Sequence, residues 1–111
     1  MSNEQIKALQ DSIVSSRQNV DMADALRRLQ SNRDFKKVIQ EGYFEKEAIR
    51  LVHLKADPAM QTPDKQASIL RDIDAIGTLH SYFALILRFG DMSKKDIAEA
   101  EAEIEAIEQS E

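Results

Sequence analysis

The chain has 111 residues, 42% apolar and 32% charged, with a formal net charge of −5 and no cysteine. That length holds one domain or one helical assembly module. The balance excludes general disorder, and no apolar run nears the ~20 residues needed to cross a bilayer. Disulfides and thiolate chemistry are excluded, and the opening MSNEQIKALQ has neither a basic nor an apolar signal region, so synthesis in a cytoplasm is the expectation.

The charge is unevenly spread. Met1 to Gly90 carry 12 acids and 13 bases, whereas Asp91 onward has 8 acids against Lys94 and Lys95. The expected organisation is a single helical domain over residues 1–90 with an acidic helix or tail over 91–111. Nucleic acid is not an expected partner: the cluster Arg27, Arg28, Arg33, Lys36, Lys37 is small and lacks the series of interleaved aromatic side chains that a stacking platform requires.

The first segment spaces Ile6, Leu9, Ile13 and Val20 by three, four and seven, a thin stripe on one helix face. Serine and asparagine surround it, so this helix depends on a partner surface for its order. One long helix or two shorter ones fit residues 4–30, with Ser15 to Asn19 as the place for a break. Ser31 with Asp34 reads as a capping box opening a short helix that presents Phe35, Val38 and Ile39. Gly42 is then placed to end it in the left-handed conformation, and a further helix runs from Tyr43 to Ala56 with Phe44, Ala48, Leu51 and Val52 on one face. Three of the six aromatic residues, Phe35, Tyr43 and Phe44, crowd this joint.

The Asp57–Pro58 step disfavours helix at Asp57. Thr62–Pro63–Asp64 is a start signal, with a capping hydroxyl, proline at the first helical position and an acid in the positive first turn. Ile69, Ile73, Ile76, His80, Phe83 and Leu87 follow at steps of four, three, four, three and four, a coiled-coil-like seam. The predicted helix covers about residues 63–89 and stops at Gly90. Ser93 and Asp96 resemble another cap, opening an acidic helix whose large apolar residues are Ile97, Ile104 and Ile107; it docks by them or frays.

No constellation here carries chemistry. His53 and His80 lack metal-motif spacing, with no His-Glu-x-x-His and no Glu-x-x-His pairing. His80 lies on the apolar stripe and reads as a seam histidine. Glu41, Glu45 and Glu47 have basic residues at helical distance, Lys37 for Glu41 and Arg50 for Glu47, so they read as surface ion pairs. No catalytic, cofactor-binding or metal-ligating residue is expected.

The segment NRDFKKVIQEGYFEKEAIRLV, followed by DPAMQTPDKQASILRDIDAIGTLHSYF, resembles small all-helical proteins of tailed bacteriophages. The elements that carry the resemblance are Asp34-Phe35-Lys36, Gly42-Tyr43-Phe44-Glu45, Glu47-Ala48, Arg50-Leu51, Met60-Gln61, Gln66 and Ile76-Gly77, within residues 25–90. The resemblance implies a structural or assembly role among virion genes and no catalytic one.

The expected fold is all-α: a helical hairpin or small bundle built on the long helix. The expected function is non-enzymatic, by protein–protein contact in virion structure or assembly, with the protein present in the host cytoplasm when synthesised and then in the virion. A homo-oligomer is expected because each amphipathic face needs cover. Phe35, Tyr43, Phe44, Ile69, Ile73, Ile76, His80, Phe83 and Leu87 are the expected packing or interaction residues. The alternative is a phage effector that neutralises a host factor as an inhibitor, a ligand-sequestering oligomer or a nucleic-acid mimic.

Overall fold

The computed structural model describes residues 2–110, and the protein is all-α. In chain order the elements are α1 (Ser2–Gln30), α2 (Arg33–Phe35), a π-helix (Lys36–Glu47), α3 (Ala48–Ala56), a 3-10 turn (Pro58–Met60) and α4 (Pro63–Gln109). Among the described residues no helix is long and apolar enough to cross a membrane.

The chain divides into two compact units. Unit 1 joins Met1–Arg27 to Leu85–Glu111, and unit 2 is Arg28–Ala84.

Unit 1 is a pair of antiparallel helical segments. Asn19 meets Ser93 and Ala23 meets Gly90, so the chain advances along one helix while it retreats along the other. The inward residues of α1 are Ile6, Leu9, Ile13, Ser16, Val20 and Ala23, at alternating steps of three and four. They are opposed by Gly90, Ser93, Ile97, Ala100, Ile104 and Ile107 of α4, spaced the same way. Ala23 is fully buried, and Gly90 leaves no room beside it: a Cβ there would lie 2.4 Å from the Ala23 Cβ. Glycine and alanine let the two backbones approach closely. Ser93 is buried and its Oγ accepts a hydrogen bond from the Asn19 side-chain amide at 3.0 Å, which satisfies the polar atom the seam encloses.

One open choice is resolved here and two local expectations change. α1 runs unbroken through Ser15 to Asn19, because Ser16 takes a seam position and the apolar steps continue on either side. Gly90 does not end α4, which continues to Gln109. No described glycine has a positive φ, and Gly90 serves the contact with Ala23 in place of a turn. Ser93 therefore caps nothing, and residues 91–109 are a continuation of α4.

Unit 2 is built around Leu51, Ile69 and Ile76, with Tyr43, Phe44, Ala48, Leu54, Met60 and Ile73 packed against them. Its helical backbone enters through Asn32, whose Oδ1 accepts the Phe35 N–H at 2.9 Å; Asn32, and not Ser31, is the cap. From there the chain stays helical through both junctions of the π-helix, with φ −57° and ψ −45° at Lys36 and φ −59° and ψ −44° at Ala48. The break foreseen at Gly42 is replaced by wider winding. A Cβ at residue 42 would lie 3.1 Å from the carbonyl oxygen of Lys37, five residues back, which is the i→i+5 spacing of a π-helix.

The exit from α3 follows the expected pattern. α3 ends at Ala56 and Asp57 turns extended, with ψ 126°. The freed carbonyls are taken up by side chains: Gln61 Nε2 donates to Lys55 O and Asp57 O at 2.9 and 2.8 Å, and Gln66 Nε2 to Lys55 O and Met60 O at 2.9 and 2.8 Å. α4 then starts at Pro63, with the Thr62 hydroxyl accepting the Lys65 N–H at 3.4 Å.

Candidate functional site

The aromatic residues of the joint meet inside unit 2. Phe44 is the hub, with its ring 5.3 Å from His80 and 5.8 Å from Phe83, both edge to face, and 6.0 Å from Tyr43. Phe35 reaches Phe83 from the other end of the π-helix at 6.0 Å. Such edge-to-face pairs add about 0.5–1.5 kcal/mol beyond burial, so the cluster fixes the π-helix against α4.

Of the seam residues, Ile69 and Ile76 are consumed by this core, and Ile73 packs beside them. His80 turns its ring to Phe44 while the residue as a whole remains exposed. Leu87 lies in unit 1 and is half-buried. The isoleucines of α4 in unit 2 thus face inward, and a concave surface is left on the π-helix.

That surface is an open groove of about 520 Å³ lined by Val38, Ile39, Gly42, Tyr43, Lys46, Glu47 and Arg50. The π-winding sets Val38, Gly42 and Tyr43 side by side, and the missing side chain at Gly42 deepens the floor. Val38 is 63% exposed, a large apolar residue left in water after the core is filled. Lys46 also borders a second depression, of about 430 Å³, formed with Ser31, Arg33, Lys36, Lys37 and Glu41.

Arg33, Lys36, Lys37 and Lys46 form no ion pair among the described residues. The pairing of Lys37 with Glu41 expected at a spacing of four does not form. That spacing aligns side chains on an α-helix, and here the turn closes over five residues. Glu47 and Arg50 do pair: the Arg50 Nε–H donates to Glu47 Oε1, and a second nitrogen donates to Oε2 at 3.3 Å. The hydrogen bond from Arg50, with its charge, holds the Glu47 carboxyl below the usual glutamate range, and Glu47 in turn raises Arg50, aided by Asp72.

No group of three or more His, Cys, Asp or Glu side chains able to hold a metal occurs among the described residues. The groove offers apolar area, one unpaired cation in Lys46 and one fixed ion pair, which is the equipment of a contact surface. Val38 and Ile39 belong to it, whereas the sequence by itself assigns them only to a helix face. Their exposure depends on which side of the joint the aromatic residues occupy. Comparison with known proteins finds no matching family model, no matching curated protein and no matching solved structure.

Proposed function

We propose that the chain is a non-enzymatic protein of a tailed bacteriophage that acts through protein–protein contact in virion structure or assembly. The observation that carries the contact role is the open groove on the π-helix, with exposed Val38 at its floor and Lys46 at its rim. A side chain of that size is left in water at a cost, about 25 cal/mol per Å² of apolar surface, that a docked partner recovers. The phage setting rests on the resemblance of residues 25–90 to small all-helical proteins of tailed bacteriophages. Gly42-Tyr43-Phe44 forms the joint, Gln61 and Gln66 close the end of α3, and Ile76 fills the core.

Mass spectrometry of purified virions tests the role. The expected result is this chain present in particles. Its absence from particles, together with recovery of a host protein by the intact chain and not by a Val38→Glu variant, would contradict the assembly role and favour a host-directed one.

A further inference from the structure

We propose that the groove of unit 2 receives the outward face of the C-terminal helix of a second copy, so that chains associate head to tail. The proposal names the partner of the contact surface described above and rests on that reading. Its first support is the division of charge. Unit 2 carries 9 basic and 8 acidic residues, and unit 1 carries 6 basic and 12 acidic ones. In unit 2, Arg33, Lys36, Lys37 and Lys46 have no ion pair among the described residues and line the depression beside the groove, with Lys46 bordering both. In unit 1 the surplus acids lie along α4 beyond Asp96.

The second support is the shape of that acidic face. With Ile97, Ala100, Ile104 and Ile107 turned toward α1, the opposite side of α4 presents Ala98, Ala102 and Ala106 at four-residue steps, all exposed. Glu99 and Glu103 flank this row on one side and Glu101 and Glu105 on the other. The result is a ridge of methyl groups between two rows of carboxylates. Glu103 has no cationic partner among the described residues, and Glu105 only accepts from its neighbour Gln109 at 3.3 Å. A low alanine ridge suits a floor of Val38, Ile39 and Gly42, and the glutamates at its edges suit Lys46 beside the groove and Lys36 and Lys37 in the adjoining depression. The two surfaces are different patches of one chain, so the contact is heterologous and propagates into a ring or an open filament.

The test uses the full chain in light scattering, with two charge-reversed variants, Lys36→Glu/Lys37→Glu and Glu103→Lys/Glu105→Lys, each confirmed helical by circular dichroism. The parent chain associates at low salt, and association weakens as the Debye length falls to about 3 Å in 1 M salt. Each variant alone loses at least about tenfold in association constant, because like charges then face each other. Mixed together, the two variants associate in alternation, because the native groove of one meets the native helix of the other and the two reversed surfaces also meet, and a chain carrying both reversals associates again. A parent that is monomeric throughout, or association unaffected by either reversal, overturns the proposal. So does a monomer that binds an RNA oligomer through Lys36 and Lys37, which would assign the groove to nucleic acid. Absence from virions would count against the virion role and leave this contact standing, whereas a monomeric parent found in virions would defeat only the contact.

Discussion

Gly90 lies directly against Ala23, so close that a Cβ added at Gly90 would fall 2.4 Å from the Cβ of Ala23. Gly77, on the same helix, has nothing within 4 Å of that position. The same substitution therefore acts in opposite directions at the two sites. Gly77→Ala stabilises by about 0.5–1 kcal/mol, the helix-propensity gain alone. At Gly90 the overpacking cost of about 1–3 kcal/mol outweighs that gain, and Gly90→Ala destabilises. Thermal unfolding followed by circular dichroism should show the two variants on either side of the parent.

The hydrogen bond from Asn19 to Ser93 is the polar point in the apolar seam of unit 1. Removing Ser93 alone leaves the amide of Asn19 without its partner, and removing Asn19 leaves a buried hydroxyl unsatisfied. A double-mutant cycle of Asn19→Ala and Ser93→Ala should give a coupling of about 0.5–1.5 kcal/mol, the net worth of such a bond. Additivity of the two would show that the pair contributes nothing to holding the segments in register.

Phe44 touches three other rings, and its loss should loosen unit 2 at the π-helix first. Phe44→Leu keeps most of the apolar volume but removes the edge-to-face contacts with His80 and Phe83. The expected cost is about 1–3 kcal/mol, with amide exchange accelerated across residues 36–47 before it changes in unit 1.

Glu47 gives a pH signature. Arg50 favours its ionised form in the folded chain, so the folded carboxyl titrates below its unfolded value. The pairing therefore contributes above the unfolded value and is lost as pH falls through the folded one. An NMR titration of the Glu47 side chain should show a midpoint below the ordinary glutamate range, and Arg50→Gln should bring it back. An unchanged midpoint in the variant would contradict the cause assigned here.

Much of this architecture is legible in the residues themselves. Asp57–Pro58 and Thr62–Pro63 mark the end of α3 and the start of α4, because proline and a capping hydroxyl act on their immediate neighbours. The grouping of Phe35, Tyr43 and Phe44 around a packing joint is readable too, since aromatic residues at helical spacing must be covered. Gly90 is different. Like Gly42 it reads locally as a helix stop, neither residue ends a helix, and what decides the role of Gly90 is Ala23, distant along the chain. Ser93 likewise resembles a cap until Asn19 is placed opposite. The π-winding of residues 36–47 has no local signal; Phe35 just before it and Phe44 within it both meet Phe83, which is distant along the chain. The groove that carries the proposed contact follows from that winding and shares its obscurity.

The most direct test of the proposed contact is zero-length carbodiimide cross-linking of an equal mixture of unlabelled and 15N-labelled chains at low salt, read by mass spectrometry. The account predicts mixed-isotope cross-links joining Lys36, Lys37 or Lys46 of one chain to Glu99, Glu103 or Glu105 of another. Cross-links confined within single chains, or intermolecular ones that avoid the lysines of the groove, would contradict it.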